Sequence, residues 1–163
     1  MSAQESSGSA PPDYSPPRRT PTDSSYYDLN GTPWDSKHPN GQDWVYAREV
    51  RAQQAQAPLE APQRAKYPSK FANFEKLPLT TPGKPTPNGR TPAEWLHYPV
   101  IPGTTTTYND MSRARPGAMR TFYTEGDRSN FDVGYHDPKT KTSTGKDGFS
   151  LAKYVPASPK SNT

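Results

Sequence analysis

The sequence predicts an α+β domain: a single helix packed on an antiparallel β-sheet, with disordered N-terminal and C-terminal tails. Three observations carry this. One stretch alone, from Asp43 to about Gln56, is built of good helix formers. After it come short apolar or aromatic runs separated by Pro, Gly, Thr and Asp, the punctuation of a β-sheet. Finally, 21 Pro, 29% hydrophobic residues and a mean hydropathy of -1.10 in 163 residues leave too little apolar surface to order the whole chain.

Residues 1–39 are rich in Ser, Pro, Asp and Gly with scattered Tyr, and are expected to be a disordered tail. Within them Pro11, Pro12 and Tyr14 have the proline-proline-x-tyrosine form that WW domains read in an extended proline helix. Four residues in a Pro-rich stretch arise easily, so this partner is a weak expectation. Asn30-Gly31-Thr32 has the form of a glycosylation acceptor, read as coincidence without an export signal. The domain is expected over 40–154. Its helix begins at the capping candidate Asp43, is halted by Pro58, offers Trp44, Tyr46, Ala47 and Val50 as a packing stripe, and ends in a Gln-rich turn expected to face solvent. Strands are expected around Leu96 to Ile101, Met119 to Thr124, Phe131 to Tyr135 and Phe149 to Tyr154. Pro82 to Pro92 is expected to be a long loop, and 155–163 a frayed tail.

The 20 Lys and Arg against 16 Asp and Glu give a formal charge of +4, which agrees with a polyanionic partner without requiring one. With no Cys, neither a disulfide framework nor a thiolate metal site can form, and His38, His97 and His136 are too scattered to suggest a structural zinc. No metal and no cofactor are expected. No apolar run has the length of a membrane span or the form of a signal peptide, so the sequence reads as that of an intracellular monomer.

The segment Tyr67-Pro68-Ser69-Lys70-Phe71-Ala72-Asn73-Phe74-Glu75 puts rings, an amide and a carboxylate into one short polar stretch. Rings can stack on a base, and a carboxylate accepts from the paired N–H donors on guanine's Watson–Crick edge. Many turns carry such a pattern merely to cover a core. Downstream, however, stand Leu96-His97-Tyr98-Pro99-Val100-Ile101-Pro102-Gly103, then Arg115-Pro116-Gly117-Ala118-Met119-Arg120-Thr121-Phe122-Tyr123, Phe131-Asp132-Val133-Gly134-Tyr135-His136-Asp137, and Asp147-Gly148-Phe149. In this order and spacing the chain from about Asp43 to Tyr154 resembles the small fungal guanyl-specific ribonucleases of the microbial ribonuclease superfamily, relatives of the barnase-like enzymes.

The resemblance implies the same helix-on-sheet layout and a metal-independent endoribonuclease that cuts single-stranded RNA after guanosine through a 2′,3′-cyclic phosphate. Position by position it implies His136 as general acid, Arg120 as the phosphate-binding arginine, and Tyr67 as a hydroxyl donor to phosphate. Phe71, Asn73, Phe74 and Glu75, with Asp147, fall at guanine-binding positions. Phe71 replaces a tyrosine and Ala72 an asparagine. His97 stands where the family keeps a catalytic glutamate, and an imidazole with an ordinary pKa of about 6.5 can still act as base near neutral pH. Two imidazoles of ordinary pKa would place the rate maximum near about pH 6–7. Glu94 is set aside as the base, because three residues along a strand put it on the face opposite His97. Ser69 replaces a further family histidine, and Lys70 is expected to add positive charge beside it. The family is mostly secreted and disulfide-bonded, whereas this chain is Cys-free. Two rival readings remain at the level of sequence: a catalytically weak or inactive RNA-binding descendant of the fold, suggested by Ser69 and His97, and a Pro-rich interaction protein.

Overall fold

A computed structural model describes residues 20–35, 42–81, 94–109 and 115–158. The Pro11, Pro12 and Tyr14 motif, His38 and the loop 82–93 lie outside these. The described chain forms β1 (Tyr26–Asp28), β2 (Trp44–Tyr46), α1 (Ala47–Gln54), β3 (Ser69–Phe71), β4 (Trp95–Pro99), β5 (Met119–Thr124), β6 (Asp127–Lys141), β7 (Asp147–Leu151) and β8 (Lys153–Val155). Five strands make the main antiparallel sheet in the order β3-β4-β5-β6-β7, and three make a smaller one in the order β2-β1-β8. One helix on antiparallel sheet is the expected α+β arrangement.

The helix is shorter than its composition suggests. Trp44-Val45-Tyr46, expected to be its first turn, is instead strand β2, with Val45 buried and the two rings half-buried on the other face. Aromatic and β-branched residues suit a pleated, half-buried surface, and here a partner strand was available to use that preference. The N-cap position is therefore Tyr46, not Asp43. The Asp43 carbonyl accepts from the Leu29 N–H (3.0 Å), and Tyr46 enters the helix without a side-chain cap. The Gln-rich end is also not solvated. Gln53 Nε2 donates to the carbonyls of Ile101 (2.7 Å) and Thr104 (2.8 Å) while its Oε1 accepts from the Ile101 N–H (3.0 Å). Gln54 Oε1 accepts from Thr121 (2.6 Å). Both amides are buried and fasten the helix to loop and sheet, the condition under which buried polar groups stabilise rather than cost.

The core lies between the helix side and the inner face of the main sheet. Leu29, Val45, Val50, Val100, Met119, Val133 and Tyr135 form one cluster, and Ala57, Tyr67, Leu96, Tyr98, Tyr108 and Tyr123 another. Leu29 and strand β1 belong to the stretch expected to be tail. β1 is in fact the centre of the small sheet, pairing Tyr26 with both Tyr46 and Val155, so the folded unit includes residues 20–35 and starts well before residue 40. At the other end Val155 belongs to β8, and the Ser158 N–H reaches the Thr22 carbonyl (3.1 Å). Composition missed this because the segment has few apolar residues. Of those few, Leu29 is buried completely, while Tyr27 and Trp34 pack half-buried against the same cluster.

Removing residues 1–39 is therefore expected to abolish the cooperative transition or lower its midpoint by more than 10 °C, since loss of Leu29 alone costs about 2–5 kcal/mol and the small sheet loses its central strand. A melt followed by circular dichroism checks this; an unchanged midpoint would mean that β1 contributes nothing.

Candidate active site

Register brings the candidate residues to one face of the main sheet. Ser69 lies opposite His97, His97 opposite Phe122, Arg120 opposite Gly134, and His136 opposite Phe149. Cross-strand partners share a face, as do residues two apart along a strand. Phe71, His97, Phe122, Arg120, Gly134, His136 and Phe149 consequently form a single surface, while Leu96, Tyr98, Thr121, Tyr123, Val133 and Tyr135 turn to the core. Gly134 keeps the centre of this surface low. A Cβ there would sit 2.6 Å from a Phe122 ring carbon and 2.9 Å from the Ser150 carbonyl oxygen.

Arg120 is almost wholly buried, at 2% exposure. One terminal nitrogen donates to the carbonyls of Gly117 (2.7 Å) and Met119 (2.8 Å), and the other to the Tyr67 hydroxyl (3.1 Å). Its Nε–H has no partner among the described residues. A buried guanidinium held on two sides and short of one acceptor is a pre-arranged socket for an anion. Tyr67 thus positions Arg120, and its ring lies beneath the guanidinium at 5.2 Å.

His97 stands in a box of rings: Tyr67 at 5.8 Å, Phe71 at 5.9 Å, Phe122 stacked at 6.1 Å and Phe149 at 5.6 Å. Its Nδ1 is buried without a partner among the described residues. Burial, then the nearby charges of Arg120, His136 and Lys66, push its pKa down to about 3. His136 stacks on Phe149 at 4.1 Å. Burial and then Arg120 lower its pKa as well, opposed by a hydrogen bond to the Asp147 backbone and by the Asp147 and Glu75 carboxylates. Phe149, to which the sequence assigned no role, therefore contacts both imidazoles. Phe122 and Gly134, the floor of the site, were likewise without a role; their place follows only from strand register.

The base-loop candidates divide. Asn73, at φ 56°, uses its whole amide within the loop: Oδ1 accepts from the Leu77 N–H (2.8 Å) and Nδ2 donates to the Leu77 carbonyl (3.0 Å). Its side chain shapes the loop. Glu75 turns inward, where Oε2 accepts from the Phe149 N–H (2.9 Å), tying the loop to the site. Phe74 is 88% exposed at the rim. Phe74 and Glu75, with Phe71, Asp147, Gly148, Phe149 and residues 140–144 and 146, line a cleft of about 670 Å³, ample for one nucleobase, whereas Asn73 does not border it. Asp147 is joined to Lys141 in an ion pair and, with Lys146, forms the wall shared with a second cavity of about 560 Å³. That cavity opens on His136 and is bordered by Asp35, Arg115 and Gly117. Lys70 pairs with Glu94 (3.5 Å) on the opposite face, so it does not add its charge to the site.

A family model described as ribonuclease matches residues 33–150. No curated protein matches the chain.

Proposed function

The chain belongs to the ribonuclease family, and from that premise we propose that it is an endoribonuclease cutting single-stranded RNA after guanosine by metal-independent transesterification. The observation that carries this reading is the buried Arg120, its Nε–H without a partner among the described residues, on the same surface as two imidazoles.

In the proposed reaction neutral His97 takes the proton of the 2′-hydroxyl. The 2′-oxygen attacks phosphorus, and the bond to the 5′-oxygen breaks as protonated His136 gives that oxygen a proton. The products are a 2′,3′-cyclic phosphate and a free 5′-hydroxyl, with the two imidazoles left in exchanged protonation states. Arg120 stabilises the charge gathering on the phosphoryl oxygens, where its planar fork suits an oxyanion. Base, acid and cation are thus all supplied by side chains. Guanine would enter the cleft beside Glu75. One carboxylate oxygen is engaged by Phe149, and a carboxylate has about four acceptor sites, so the other can take guanine's N–H donors. Phe74, exposed at the rim, would close over the base by stacking, worth about 1–3 kcal/mol.

Incubating the protein in EDTA with a short RNA carrying one guanosine, then mapping the cut and its end group, tests the reading directly. Cleavage after guanosine with a cyclic phosphate end is the expected result. Glu75→Ala should reduce the preference for guanosine over adenosine by about tenfold or more, because the acceptor for guanine's edge is gone. Equal discrimination by the variant would make Glu75 only a tie to Phe149. Binding of RNA without cleavage would leave a non-catalytic RNA binder as the better account.

A further inference from the structure

We infer that Trp34, in the segment before the helix, is a positioning residue that sets the place of both Arg120 and His136. Its N–H donates to the Gln42 carbonyl (2.9 Å), and its own carbonyl accepts from the Ala118 N–H (2.7 Å). Its indole lies against the turn beside Ala118: a Cβ added to Gly117, which has φ +67°, would stand 2.9 Å from Trp34 Cε3 and 3.0 Å from Cζ3. Two bonds leave this turn for the site. The Gly117 carbonyl accepts from Arg120 (2.7 Å), and the Ala118 carbonyl accepts from the His136 N–H (2.9 Å). The turn is therefore held by an indole and delivers one carbonyl to the proposed phosphate-binding cation and the next to the strand position of the proposed acid. The inference rests on the proposed reaction for its catalytic consequence, though the positioning itself does not.

The bland alternative is that Trp34 simply covers the core, since it borders the cluster of Leu29, Met119 and Tyr135. A core role predicts lost stability and nothing else; a positioning role predicts a changed site in a chain that is still folded. Trp34→Ala in the full chain is compared with Leu29→Ala, a cavity in the same cluster, and with Trp34→Phe, which keeps a flat ring over Gly117. The backbone bonds of residue 34 survive every variant, so the comparison isolates the indole.

At a temperature where all melts show folded protein, Trp34→Ala should bind inorganic phosphate about tenfold or more weakly, and kcat on the guanosine RNA should fall by a similar factor. The His136 titration midpoint, followed by NMR, should rise, because a looser Arg120 depresses it less while Asp147 and Glu75 still favour its charged form. Leu29→Ala should keep all three values, and Trp34→Phe should keep them within about twofold. Should Trp34→Ala not fold, Trp34→Leu, apolar but without a flat face, takes its place. If the Trp34 variant and Leu29→Ala behave alike, the inference is overturned. If the wild-type protein leaves RNA uncut, the proposed function falls, while phosphate affinity and the His136 midpoint still decide the role of Trp34.

Discussion

His136→Ala and His97→Ala are each expected to lower kcat/KM on a guanosine-containing RNA by about 100-fold or more, the ordinary contribution of a general acid or base. RNA affinity should change little, because neither ring is the main phosphate ligand. Arg120→Ala should impair both binding and rate, since phosphate meets it in the ground and transition states alike. The pH dependence distinguishes this arrangement from two free imidazoles, whose maximum would fall near about pH 6–7. His97 must be neutral, which holds above its pKa of about 3. His136 must be protonated, which holds below a pKa itself depressed from 6.5. The maximum of kcat/KM is thus expected between these limits, on the acid side of 6.5, with the rate falling above it as His136 loses its proton. A profile still rising through neutral pH would contradict these roles.

A second large effect concerns stability. Well above about pH 6.5 the His97 imidazole is neutral folded and unfolded, and it contributes no pH dependence. As pH falls from 6.5 toward about 3, the unfolded chain takes up a proton that the native box of rings refuses, so stability declines. The slope is at most about 1.4 kcal/mol per pH unit for one group, and the loss levels off once native His97 is also protonated. His97→Phe puts a non-titrating ring among Tyr67, Phe71, Phe122 and Phe149. Near about pH 7 it should match the wild-type protein within about 1 kcal/mol, and near about pH 4 it should be the more stable by about 3 kcal/mol. Urea unfolding at both pH values provides the check. Curves that run parallel in pH would mean that His97 titrates normally.

The two predictions pull on one residue in opposite senses. The burial that keeps His97 neutral across nearly the whole working range also weakens it as a proton acceptor and makes it an acid-sensitive point in the fold.

Much of the molecule was legible without coordinates. The α+β class followed from one run of helix formers among short aromatic runs, and the strands around Leu96, Met119 and Phe131 are where alternation and breakers put them. The order of the motifs sufficed to find the ribonuclease family. Such features are local: they depend on residue type and on a period of two or 3.6, and both are written in the chain. Tertiary structure alone decided the rest. Trp44-Val45-Tyr46 became strand rather than helix because β1 lay beside it, and Gln53 and Gln54 were buried because carbonyls and a threonine hydroxyl waited opposite. Asn73 spent its amide on its own loop. The depressed pKa of His97 came from four rings and an arginine contributed by three separate stretches of chain, 67–71, 120–122 and 149, and the hold of Trp34 on the Gly117 turn from a contact spanning more than eighty residues. Burial and electrostatic environment are properties of what packs against a residue, and partners so distant in sequence leave no periodic trace at the position they control.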